Sequence, residues 1–358
     1  MNRRSILKAT AISGAAVLLI CTTSTTASAT QPGNNGRIVF SRIDENGLHQ
    51  LWTANPDLSA AHQLSHLNAN SGWPGWAPDA SRIAFDSDRS DPDPTDTDFV
   101  NDVFTMRADG SDVRKLTDSV GFSGDPAYSP DGTSIAFDAD RGIASGDPDF
   151  SALRVYVMRT DGSGTRAVTT PQVGSSDTEP RFSPDGQKLL FTRYRGGPNY
   201  DQPSRHARFT SAVFTVNLDG SGEQRVTGWG HMTGQADWSP DGSRIVYEAA
   251  CCLTSGGIYS VRADGSGFTA IVNGHGITGV GNGNGTGSIL NSLQWDGYYD
   301  PVWSPDGTKL IAGREFVDEN GEYQRGLVVV DADGSNLHWL STDFHEDHQP
   351  DWGTAPLE

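Results

Sequence analysis

Six residues at one repeated offset are the first candidates for chemistry in this chain of 358 residues. Three positions ahead of Trp76, Tyr128, Phe182, Trp238, Trp303 and Trp352 stand Trp73, Asp125, Glu179, Gln235, Asp300 and Gln349. The carboxylates among them suit a cation or a cationic group. The same side chains would equally serve to cap backbone N–H groups of neighbouring strands. Histidines form a second set: His231 and His345 each lie seven residues before a tryptophan, and His348 follows with Glu346 and Asp347 between. Imidazole beside carboxylate suits zinc, manganese or iron, although loop histidines are often only solvated. Asp86, Asp88, Asp91, Asp93, Asp96, Asp98 and Asp102 crowd one stretch, either as oxygen ligands for Ca²⁺ or as a solvated Asp/Pro loop. Arg193, Tyr194, Arg195, Tyr200, Arg205 and Arg208 interleave guanidinium and phenol. That mixture fits a carboxylate, a sugar or a protein partner, or a salt-bridge network with acidic neighbours.

The elements that must carry these groups repeat. An aromatic residue opens Trp76-Ala-Pro-Asp79, Tyr128-Ser-Pro-Asp-Gly132, Phe182-Ser-Pro-Asp-Gly186, Trp238-Ser-Pro-Asp-Gly242 and Trp303-Ser-Pro-Asp-Gly307. Each phrase leads into an apolar run such as Ile83-Ala-Phe85 or Leu189-Leu-Phe191. A second phrase follows, as in Val103-Phe-Thr-Met106 then Asp109-Gly110-Ser111. Proline presets φ for a turn, and glycine accepts the left-handed backbone of a bulged hairpin. Between the turns the residues are β-branched, aromatic or aliphatic over strand lengths. Each unit therefore reads as four antiparallel strands, a to d, and a period of some fifty to sixty-five residues marks a propeller blade.

The predicted fold class is all-β: a six-bladed β-propeller of four-stranded antiparallel blades. Arg37-Ile-Val-Phe40 is a strand b without a strand a before it, whereas Gln349-Pro-Asp-Trp352 is a strand a without a strand b after it. The N- and C-terminal strands should share one blade, closing the ring and hiding the sheet edges. Both tight turns then fall on one face of the disc. The long, variable b–c and d–a connections fall on the other, where function is expected.

The run Pro-x-aromatic-Ser-Pro-Asp-Gly-x-x-Ile-Ala-Phe, followed by Asp-Gly-Ser and Leu-Thr, resembles the repeat of TolB-type propellers over nearly all of residues 37–353. The resemblance implies the fold and says little of function, because the matching residues are turn and core positions. TolB carries an α/β domain ahead of its propeller, and here few residues precede the first strand, so a part in the Tol–Pal envelope system is not implied. Similar repeats form the propeller of prolyl-oligopeptidase-type enzymes, whose hydrolase domain is missing here. They also occur in oligogalacturonate lyases, which set a metal on channel histidines, but with a seventh blade.

Residues 1–29 read as an export leader, with Arg3-Arg4-Ser5-Ile6-Leu7-Lys8 resembling a twin-arginine signal ahead of a short apolar run and Ala27-Ser28-Ala29. Residues 30–36 follow as a linker, 37–353 as the propeller and 354–358 as a C-terminal tail. The expected location is outside the cytoplasm, extracellular or periplasmic, with no membrane insertion and a monomeric chain. The formal net charge of −19 disfavours nucleic acid as a partner. Cys251 and Cys252 are adjacent and cannot staple distant segments; a vicinal disulfide and two free thiols both remain open. No nucleophile elbow, zincin helix motif, phosphate loop or Cys-x-x-Cys is present. The sequence therefore points first to a non-catalytic binding module for a protein, peptide or glycan at the channel mouth. The alternative is a metal-dependent polysaccharide lyase or hydrolase using mouth histidines. Ca²⁺ or another divalent metal is the one cofactor the residues suggest.

Overall fold

The computed structural model describes residues 33–91, 100–118, 121–140, 153–195, 210–231, 233–251, 254–274, 296–318, 322–340 and 346–358. Among these residues the regular elements are all strands, and they fall into six separate antiparallel sheets. Numbering blades from the N-terminal strand, blade 1 is split: Asp347–Trp352 is its inner strand, and Ile38–Ile43, His49–Ala54 and His62–Gln63 follow outward. Inner strands Ser71–Trp76, Ser123–Tyr128, Ser175–Phe182, Thr233–Trp238 and Asp296–Trp303 open blades 2 to 6. Pairing of Ile38 with Trp352 and of Arg42 with Asp347 closes the ring as the sequence required.

The turns work by short-range hydrogen bonds. In blade 3, Ser129 Oγ donates to Asp131 Oδ1 at 2.6 Å, Thr133 N donates to the same oxygen at 3.0 Å, and Gly132 sits at φ 69°. Blade 2 lacks that glycine, and Ala80 holds the left-handed conformation at φ 58°. The apolar core lies between blades. Val155 and Val157 of blade 3, for example, pack with Phe182, Leu189 and Phe191 of blade 4. The third apolar residue of strand b stacks on strand c within blades, Phe85 on Phe104 at 5.7 Å and Phe191 on Phe214 at 5.6 Å. Residues 354–358, expected as a tail, are tied down: Arg37 N donates to Ala355 O at 2.9 Å, and Arg37 pairs with Glu358 at 2.9 Å. No helix of the described residues is long and apolar enough to cross a membrane.

One irregularity recurs in every blade and sets up the site. Along each inner strand the register slips by one residue. Gly72 faces Asp86 but Gly75 faces Ala84, and equivalent slips follow Gly124, Thr178, Gly234, Tyr299 and His348. Two residues thus oppose one, which is a β-bulge. The first bulge residue is Trp73, Asp125, Glu179, Gln235, Asp300 or Gln349, and all six have φ between 46° and 56°. Non-glycine residues at such angles cost about 1–2 kcal/mol each. The second bulge residue is proline in five of the six blades and Ala236 in the other. Proline suits that place because the bulge leaves its position without a ladder partner for an N–H.

Candidate acidic site at the channel mouth

The six offset residues converge as one ring around the channel. Trp73, Glu179, Gln235, Asp300 and Gln349 line a cavity of about 20 Å³, and Asp125 interacts electrostatically with Glu179 beside it. The bulge explains much of their chemistry. It frees the N–H of the ring residues, and at five of the six positions a side chain of the neighbouring blade accepts it. Trp73 N donates to Gln349 Oε1 at 3.1 Å, Gln235 N to Glu179 Oε2 at 2.7 Å, and Gln349 N to Asp300 Oδ2 at 3.3 Å. Capping is thus a real duty of Glu179, Asp300 and Gln349.

Two further caps come from residues not singled out by the offset. Asp125 N donates to Asp86 Oδ2 at 3.2 Å and Asp300 N to Glu248 Oε2 at 3.1 Å. Asp86, Asp138 and Glu248 occupy one position, directly after the apolar triplet of strand b, and form a second acidic tier. That repeated position was the available signal. Asp86 was grouped with the loop aspartates, but it is the fifth residue of strand Arg82–Ser87 and is buried. Thr192 takes the same place in blade 4 and donates to Glu179 Oε2 at 2.8 Å.

Capping leaves a residue of acceptors. Apart from the contact between Asp125 and Asp138, the atoms Asp125 Oδ1, Gln235 Oε1, Asp300 Oδ1 and both oxygens of Asp138 are buried with no hydrogen-bond partner. Asp138 is fully buried and Asp300 is 7% exposed. Burial lifts the carboxyls far above their usual range, Asp86 to about 6 and Asp300 to about 7, with Glu179 adding to Asp300. Burial followed by neighbouring negative charge raises Asp125, Asp138 and Glu248 as well. Asp125 and Asp138 approach as a carboxyl pair, and two carboxyls bond to each other only by sharing a proton. Arg181 is the cation lining the cavity, and its charge acts on Asp125, Asp300, Asp237 and Asp351.

The histidine set resolves only in part. His348 lies on the inner strand of blade 1, where Nδ1 lies 3.0 Å from Glu346 O and Nε2 lies 2.7 Å from Nδ1 of His49. With His348 Nδ1 donating to the carbonyl, His49 Nδ1–H donates to a neutral His348 ring. Burial, then the His49 ring, pushes His348 down to about 3. His49 arrives from strand c of the same blade and no offset marked it. His231 forms a two-residue strand pairing with Thr210–Asn217, and its side chain is outside the described set; His345 lies wholly outside the described residues. Among described residues, no three His, Cys, Asp or Glu side chains group as metal ligands.

Of the loop aspartates, Asp88 accepts from Asn70 N at 2.7 Å and Asn70 Nδ2 at 2.6 Å, so it ties the d–a connection of blades 1 and 2. Asp91 accepts from Val100 N at 3.4 Å. Asp93, Asp96 and Asp98 lie outside the described residues, as do Tyr200, Arg205 and Arg208. Arg193 is saturated, with bidentate bonds to Asp177 at 2.6 and 2.8 Å and to Glu223 at 2.7 and 2.9 Å. It is a structural clamp over Phe191 and Phe214. Arg195 stacks on Trp229 at 3.6 Å, while Tyr194 donates to Glu179 Oε1 at 3.1 Å and so belongs to the ring.

No family model matches the chain. Over 196 residues, 54% of its length, the chain is 28% identical to an uncharacterized protein of Agrobacterium fabrum, Atu1656, and the match spans 59% of that protein. A TolB homolog of Chlorobium luteolum is 30% identical over 151 residues, 33% of this chain and 32% of the relative. The crystal structure of TolB from Acinetobacter baumannii superposes at a TM-score of 0.63 with 17% identity, over 89% of this chain and 66% of that one. The matches therefore span less than two thirds of each of these proteins. What they share with the present chain is the fold: a TolB-type six-bladed β-propeller.

Proposed function

We propose that the chain is an exported, non-catalytic binding module that engages a protein, peptide or glycan at the channel mouth on the long-loop face. Residues 1–29 serve in this reading as a twin-arginine-type leader, removed on passage out of the cytoplasm. The carrying observation is the ring of six strained residues backed by buried carboxyls. Left-handed backbone recurs at six equivalent points, costing about 1–2 kcal/mol each, and strain of this kind gathers at ligand clamps. The test is retention on an array of defined peptides and glycans, with Asp300→Asn and Trp73→Ala as mouth variants. Ligands that bind the parent and are lost by both variants support the reading. Ligands held equally by parent and variants would move the binding surface elsewhere.

The contact of His49 with His348 supports a second reading, a metal-dependent lyase or hydrolase acting on acidic polysaccharide. Neutral imidazole is the form that ligates a transition metal, and a metal at His348 would displace the His49 ring from its Nε2. Metal analysis of the purified protein separates the two. A stoichiometric transition metal lost in His348→Ala or His345→Ala favours the enzyme, whereas calcium alone or no metal favours the binding module.

A further inference from the structure

The ring has a defined set of unmet acceptors, a defined size and a surplus of negative charge, and together they select one kind of head group. Asp300 and Gln235 line the cavity, and neither Asp300 Oδ1 nor Gln235 Oε1 has a donor; Asp125 stands across the ring, beside Asp138. Asp300 is 7% exposed, a nine-tenths buried carboxyl at the cavity wall. Buried acceptors left without a donor are costly. The cavity of about 20 Å³ takes a group near the size of one water molecule. A guanidinium fork is too broad for it, and a divalent cation such as Ca²⁺, which takes six to eight oxygens, would find only two unmet ones there. An ammonium head is water-sized and carries three N–H donors with no acceptor. Arg181 supplies one positive charge at the cavity, set against Glu179, Asp300, Asp125, Asp138 and the capping carboxyls Asp86 and Glu248.

Resting on the binding-module reading, we propose that this ring is a receptor for a primary alkylammonium group, of the kind borne by a lysine side chain or a free aliphatic diamine. The head sits between Asp300 and Gln235 and donates to their two unmet oxygens, while its chain leaves toward the long-loop face. Tyr194, Trp73 and Tyr299 near the ring offer aromatic walls to the cation, and Arg325 already stacks over Tyr299 at 5.6 Å. Because a bound cation favours ionised carboxyls, Asp300 at the cavity wall gives up its proton as the ammonium arrives. Binding and proton release are one event.

The test is isothermal titration calorimetry of the exported chain with cadaverine and, separately, with Nα-acetyl-lysine methylamide. It is run from pH 6 to 8 in two buffers of different ionisation enthalpy, with ethylguanidine and calcium chloride as comparison probes. Saturable 1:1 binding of an amine is expected, tightening by up to about tenfold per pH unit as a proton is released. Stronger binding of the lysine derivative assigns the source to a protein partner, and stronger binding of cadaverine assigns it to a free amine. Gln235→Leu removes an acceptor without touching a charge and should weaken binding about tenfold. Asp300→Asn should abolish the proton release. Ethylguanidine or calcium binding in place of the amines, or amine binding unaltered by Gln235→Leu, overturns the proposal. If neither amine binds while array ligands still depend on Asp300, the ammonium assignment alone falls and the mouth remains a binding surface.

Discussion

Replacing Asp300 by asparagine should make this protein more stable at alkaline pH and leave it unchanged in acid. Asp300 is wholly enclosed, and burial followed by the Glu179 charge raises its carboxyl to about 7 against an ordinary 3.8. A carboxyl raised on folding holds its proton more tightly in the native state. Its penalty is absent below pH 3.8, grows as pH rises, and is complete once pH exceeds the folded value. At 1.36 kcal/mol per pH unit that gap corresponds to about 4 kcal/mol as a ceiling. Asparagine keeps an oxygen to accept the Gln349 N–H, now made at 3.3 Å, and removes the charge. Urea denaturation of parent and variant from pH 4.5 to 8.5 reads the difference. The variant should match the parent within about 1 kcal/mol near pH 4.5 and exceed it by about 2–4 kcal/mol at pH 8.5. A variant weaker by the same amount at every pH would refute the reasoning, since Asp300 would then act through its contacts alone. The same variant separates function from folding, because lost ligand binding in a stabilised protein cannot be blamed on unfolding.

Ala80→Gly, which gives blade 2 the turn residue of its sister blades, should raise stability by about 0.5–1 kcal/mol in thermal melts, the relief of left-handed strain outweighing the entropy glycine adds to the unfolded chain. Asp347→Ala strips Arg42 of its bidentate partner at 2.6 and 2.9 Å and should cost about 3–5 kcal/mol in urea denaturation; a loss under 1 kcal/mol would show that the terminal blade is not held there. Gly353→Ala would place a Cβ 2.6 Å from the Trp76 ring, and a loss of about 1–3 kcal/mol is expected. Followed by NMR, the His348 ring should keep its neutral-form shifts down to about pH 4, since its folded value lies near 3; titration near 6.5 would mean that the ring is not buried against His49.

Periodicity carried the large-scale result. The Ser-Pro-Asp-Gly turns, the apolar triplets and the complementary ends specify six blades and their closure, because each is a local rule of backbone geometry repeated at fixed spacing. The same periodicity picked out Trp73, Asp125, Glu179, Gln235, Asp300 and Gln349: equivalent positions in a closed ring must lie at equal height around its axis.

Tertiary structure decided what those residues face. Nothing local brings Asp138 against Asp125, or His49 against His348 across 299 positions, and only packing shows that Arg193 is consumed by Asp177 and Glu223. Whether a carboxyl caps a strand, shares a proton or waits for a donor depends on which N–H groups a bulge releases and how much water the assembled blades exclude. Sequence spacing determines where a side chain stands on the propeller. Its charge state is set by desolvation and by neighbours from other blades, and those exist only once the ring has closed.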